Sequence, residues 1–127
     1  MNILLHDYGG YHFTYQLASA LADMNHAINY VFSETTQQIK RFKDQAGHNL
    51  IINGINLNHP FEKYNYFQRW QSELSYGRKT AALIKKIKPD VVISANTPLD
   101  AQRLIQKASR QVGAKFIFWL QDAIGLA

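Results

Sequence analysis

Lys88-Pro89-Asp90-Val91-Val92-Ile93-Ser94-Ala95-Asn96-Thr97-Pro98-Leu99-Asp100 is the stretch that decides the fold. Pro89 stops a preceding helix at Lys88, because proline disfavours helical backbone in the residue before it. Asp90 to Ser94 reads as a strand apolar on both faces, the pattern of a central parallel strand. Asn96 and Thr97 make a polar loop. Thr97 is placed to cap a helix with its hydroxyl, Pro98 fits the first turn, and Asp100 follows three residues after the cap. Ala101, Leu104, Ile105, Ala108 and Val112 give one apolar helical face, and Gly113 supplies the left-handed residue that ends it.

The alternation continues on both sides. Downstream, Lys115 to Leu120 is the last strand. Upstream, a long helix opens at Pro60, and Phe67, Trp70, Leu74, Gly77, Ala81, Ile84 and Ile87 keep its three-four rhythm. At the N-terminus, Asn2 to His6 is a short buried strand, followed by the loop Asp7-Tyr8-Gly9-Gly10-Tyr11-His12. Phe13, Leu17, Ala20, Leu21 and Met24 recur at helical spacing, and Asn25-His26 ends that helix. Ala27 to Phe32 is a second strand, rich in β-branched and aromatic residues. Ser33 to His48 is polar and reads as a helix or an ordered loop. Asn49 to Leu57 holds two apolar pieces around Asn53-Gly54, which fits a hairpin or one kinked edge strand. Strands alternating with helices, with right-handed crossovers, predict an α/β, Rossmann-like three-layer domain over residues 1–127 with a parallel sheet of order 3-2-1-4-5.

Composition bounds the function. The 127 residues are 46% apolar, 18% charged and 13% aromatic, an ordinary mixture for one globular domain. The absence of cysteine excludes disulfides, thiol catalysis and zinc-thiolate sites. No apolar run is long enough to cross a bilayer, and Met1 to His6 does not open like a secretory signal. A cytoplasmic location is expected, with the inner face of the membrane as a second setting. The net charge of +5 favours anionic partners in general. Arg78, Lys79, Lys85, Lys86 and Lys88 form a basic face on the long helix, which a solvated surface explains more simply and which also suits acidic lipid. Tyr64, Tyr66, Phe67 and Trp70 suit stacking on bases or sugars as well as core or domain packing. No nucleic-acid motif is present.

In such a sheet, ligands bind beyond the carboxyl ends of the strands, where the strand order reverses. That rule selects His6, Asp7, Tyr8, Gly9 and Gly10 after the first strand, Ser94, Ala95, Asn96 and Thr97 after the fourth, and Gln121 and Asp122 after the fifth. Of these, Gly9, Gly10, Asn96, Thr97, Gln121 and Asp122, with Tyr11 beside the glycines, are the candidate ligand-binding residues. Gly9-Gly10 ahead of a helix lets backbone approach a phosphate or sugar hydroxyl, or simply turns the chain. Asn96 and Thr97 suit hydrogen bonding to a polar ligand or capping alone. Asp122 is the candidate for orienting a hydroxyl or taking a proton. The three-glycine dinucleotide fingerprint and the Walker loop are absent, as is a Gly-x-Ser-x-Gly elbow. His6 and His12 lack the spacing of a metal pair, and no metal or cofactor is expected.

These pieces together resemble the N-terminal domain of a bacterial GT-B fold, family 4 retaining glycosyltransferase of exopolysaccharide or lipopolysaccharide synthesis. The resemblance rests on His6-Asp7-Tyr8-Gly9-Gly10-Tyr11, Pro60-Phe61-Glu62-Lys63-Tyr64, Lys88 to Leu99, and Phe118-Trp119-Leu120-Gln121-Asp122. It implies an acceptor-side domain of a two-domain enzyme, the donor-binding domain lying outside this chain and the chain alone being inactive. It implies a nucleotide-sugar donor and a lipid-linked or glycan acceptor. It places Gly9 and Gly10 near the donor diphosphate and transferred sugar. Where many members of the family carry a histidine, this sequence has Gln121, which cannot act as a base. Two other readings share the architecture: a sugar-nucleotide epimerase of GT-B type, and a stand-alone flavodoxin-like binding or signalling module.

Overall fold

The computed structural model describes residues 1–34, 49–57 and 66–120. The described residues hold five strands and three helices, in the order β1 (Asn2–Asp7), α1 (His12–Asp23), β2 (Ala27–Ser33), β3 (Leu50–Ile55), α2 (Tyr66–Ile87), β4 (Val91–Ala95), α3 (Leu99–Gln111) and β5 (Lys115–Trp119). The strands form one sheet in the order β3-β2-β1-β4-β5. Every neighbouring pair is parallel. This is the Rossmann-like arrangement expected, and its strand order reverses between β1 and β4.

Alternate side chains of each strand feed two cores, because strand side chains point to opposite faces in turn. Ile3, Leu5, Ile28, Tyr30 and Phe32 pack with Tyr15 and Ala18 of α1 on one face. Leu4, Val31 and Val92 pack with Tyr76 and Ile84 of α2 and Ala101, Ile105 and Ala108 of α3 on the other. The two helices of that second layer approach closely. A Cβ added at Gly77 of α2 would sit 2.8 Å from the Ala101 Cα of α3. Gly77 is therefore a packing glycine inside a helix that would otherwise favour alanine.

Several expectations are resolved. Asn53-Gly54 does not turn a hairpin. Leu50–Ile55 is one edge strand, with Asn53 opposite Val31 and Gly54 opposite Phe32 of β2. The dipeptide is held in the ladder by the Asn53 Nδ2 donation to Asn29 Oδ1 at 3.3 Å, and the side chain of Glu34 fills the space a Gly54 Cβ would need. Asn25 (φ 67°) and Gly113 (φ 74°) take the left-handed backbone that ends α1 and α3. Lys88 also has positive φ, 53°, so the chain leaves α2 by a left-handed residue before Pro89. The expected helix start at Pro60, and most of the polar stretch from Ser33 to His48, lie outside the described residues.

Candidate functional site

The described part of the site stands on the carboxyl ends of β1 and β4, which are adjacent in register through Asp7 and Ala95. The loop after β1 carries Gly9, Gly10 and Tyr11; the loop after β4 carries Asn96 and Thr97. These five residues of the sequence reading share one rim of the sheet. Gln121 and Asp122 lie outside the described residues.

Asp7 organises the first loop from within. It is fully buried at the end of β1. Its carboxylate accepts the N–H of Gly9 at 3.1 Å and of Tyr11 at 2.9 Å, together with the Thr14 hydroxyl at 2.7 Å. The Gly10 N–H goes to the Asp7 carbonyl at 3.2 Å. A carboxylate of the chain thus engages the amides that a phosphate would seek ahead of α1. Burial raises the Asp7 pKa above its usual value, and the hydrogen bonds from Thr14, Tyr11, Gly9 and Gly10 oppose that rise. The Tyr30 hydroxyl lies 2.8 Å from Thr14 Oγ1, extending the network to β2.

The glycines are explained by the same loop. Gly10 has φ 62°, which side chains rarely adopt. A Cβ at Gly9 would fall 2.7 Å from Cε2 of the Tyr11 ring, so that ring folds back over Gly9. Tyr11 in turn stacks on Phe13 with centroids 5.8 Å apart.

His6 ties the two loops together. Thr97 does not cap α3: Pro98 is the residue before the helix, and no side-chain hydrogen bond caps it. The Thr97 hydroxyl turns inward and donates to the Ala95 carbonyl at 2.6 Å. Its one hydrogen is then spent, so the 3.2 Å contact with His6 Nδ1 is a donation from the imidazole. That fixes the proton on Nδ1, with the Tyr76 hydroxyl a further 3.4 Å neighbour of the same nitrogen. Among the described residues, His6 Nε2 is buried with no hydrogen-bond partner, as is Ser94 Oγ, its register neighbour on β4. Complete burial pulls the His6 pKa from 6.5 down to about 3, so the ring is neutral at physiological pH. Asn96, next to Thr97, has φ 28°, an uncommon backbone state for which asparagine is suited.

His6 and Asp7 carry this local order; the strand-end rule places both at the switch in strand order, but the sequence alone gives neither a role in the site. The available signal was two polar residues closing an otherwise apolar strand just before Gly9-Gly10. Among the described residues, no group of three His, Cys, Asp or Glu side chains converges to hold a metal. No described helix is long and apolar enough to cross a membrane. A separate hollow of about 330 Å³ opens beside Leu57 along α2, lined by Trp70, Leu74, Ser75 and Arg78 among others.

Comparison with known proteins adds to the fold. No family model matches the sequence, and no curated protein matches it. Solved structures do match. The C-terminal domain of the PF1911 hydrogenase from Pyrococcus furiosus has a TM-score of 0.68 at 15% identity, covering 93% of this chain and 89% of that one. MurG from Acinetobacter baumannii has a TM-score of 0.63 at 17% identity, covering 92% of this chain and 34% of that one. The chain therefore spans about a third of that MurG chain. At such identities the likeness is one of fold, and a fold hosts many functions.

Proposed function

We propose that the chain is the acceptor-side domain of a glycosyltransferase. In this reading it works with a donor-binding domain outside these residues and moves a sugar from a nucleotide-sugar to a lipid-linked or glycan acceptor. The observation that carries the reading is the junction of the β1 and β4 loops at the reversal of strand order, fastened by the His6–Thr97 hydrogen bond. The fold likeness to MurG, a GT-B glycosyltransferase, supports it. So do the motifs around Gly9-Gly10 and Asn96-Thr97 that suggest a family 4, retaining enzyme.

Each part has a role in this reading. Asp7 engages the loop amides internally, so the loop meets the ligand through its outer surface and the Tyr11 ring. Asn96 holds hydroxyl groups in the crevice, and Thr97 braces that loop through its inward contacts with the Ala95 carbonyl and His6. Gln121 adds a hydrogen bond, and Asp122 orients or deprotonates the acceptor hydroxyl. The test is a transfer assay on the full gene product with a panel of nucleotide-sugars and glycan or lipid-linked acceptors. Sugar transfer with retained anomeric configuration is expected, lost when Asp122 is replaced by alanine. Release of an epimerised sugar-nucleotide without transfer would replace the reading with the epimerase. A gene product ending at Ala127 that neither transfers nor epimerises would replace it with the binding module.

A further inference from the structure

Three aromatic side chains meet at the rim of the candidate site without being absorbed into either core. Tyr11 precedes α1, Phe13 lies in its first turn, and Trp119 closes β5. Tyr11 is 48% and Phe13 43% exposed. They are nonetheless locked together: the Tyr11 and Phe13 rings stack at 13° between planes, and Phe13 meets Trp119 edge to face with centroids 5.9 Å apart. Asp7, Ala95 and Trp119 stand in register across β1, β4 and β5. The cluster therefore flanks the loop that Asp7 organises. Holding large rings in contact with water is costly unless something covers them, while their mutual stacking keeps them ordered in advance of any ligand.

We propose that Tyr11, Phe13 and Trp119 form a stacking platform for a neutral sugar ring of the acceptor, resting on the glycosyltransferase reading for the word acceptor. The charge pattern selects the ligand class. None of the three rings is charged, the adjoining loop residues Gly9, Gly10, Asn96 and Thr97 add no cation, and the ring of His12, between Tyr11 and Phe13 in the sequence, lies against Tyr15 of α1 instead. The nearby loop amides already serve Asp7. A phosphate or a nucleotide would find no positive partner in this set. A pyranose offers what the platform matches: an apolar C–H face for the rings and edge hydroxyls for the carboxamide of Asn96.

The test is a titration of the isotope-labelled 127-residue chain with neutral oligosaccharides, maltohexaose and cellohexaose among them, followed by NMR. At least one should shift the Trp119 indole N–H and the Tyr11 and Phe13 ring signals together. Trp119→Ala should weaken that binding about tenfold, and Trp119→Phe should hold it within about threefold. Tyr11→Ala is a second probe, which removes a half-exposed ring and keeps the backbone N–H that Asp7 accepts. No shift with any oligosaccharide, shifts confined to residues elsewhere, or unaltered binding in both alanine variants would overturn the platform. In the full gene product, Trp119→Ala should raise the acceptor KM with kcat retained. Transfer unaffected by that change would sink the platform and leave the transferase reading standing. Oligosaccharide bound on the rings, without transfer by the full protein, would do the reverse.

Discussion

Acidification should weaken the fold through His6, and the size of the effect follows from its burial. The unfolded chain binds a proton on this imidazole near the ordinary 6.5, whereas the folded chain refuses it until about 3. The folded pKa is lowered, so the unfolded state gains protons first as pH falls. Stability is unaffected by His6 above about 6.5, declines between 6.5 and about 3, and is level below that. The full interval corresponds to about 5 kcal/mol, and the part between about pH 7 and about pH 5 to about 2 kcal/mol. Two kcal/mol is a large share of an ordinary domain's stability and moves the melting temperature by roughly 5–10 °C. Urea and thermal unfolding at the two pH values measure it. His6→Asn keeps a donor toward Thr97 but cannot titrate, so its loss on acidification should be smaller than wild type by about 2 kcal/mol. Equal losses in the two proteins would refute the argument. So would an imidazole ¹⁵N spectrum with the proton on Nε2 rather than Nδ1.

Asp7 should behave with the opposite sign. Its pKa is raised from 3.8 by burial, so the folded state holds the proton longer and stability declines as pH rises from 3.8 through the folded value. In the His6→Asn background that decline should show in melting temperature against pH, and Asp7→Asn should remove it. Thr14→Val leaves the buried Asp7 carboxylate without its shortest donor and should cost about 1–3 kcal/mol, while Thr14→Ser should cost much less. Faster amide exchange at Gly9 and Tyr11 should accompany the valine. Gly77→Ala, a change that ordinarily favours a helix, should here destabilise by about 1–3 kcal/mol in thermal melts, because the new methyl meets the Ala101 backbone.

Much of this was legible because the chain alternates buried strands and amphipathic helices with clear stops. Val91-Val92-Ile93 marks β4 as central, and Gly113 marks the end of α3. Asn53-Gly54 was ambiguous because the dipeptide suits a tight turn locally, and pairing with β2 decides against it. The Thr97 misreading has a related cause. A hydroxyl before Pro98 is a plausible cap by sequence, but His6, 91 residues away in the chain, offers it a partner in the interior. The inward networks of His6 and Asp7 were the least legible part. Nothing local says that a polar residue at the end of a strand will be fully buried; that depends on helices arriving from elsewhere. The five rim residues of the first and fourth strands could be placed because topology alone brings them together.

The central claim is that ligand recognition sits on this rim. Backbone amide shift mapping of the chain with nucleotide-sugars and neutral oligosaccharides tests it most directly. Perturbations should cluster at Gly9, Gly10, Tyr11, Asn96 and Thr97. Shifts gathered instead around Asn25, Lys88 and Gly113, where the chain turns at the other end of the sheet, would contradict it.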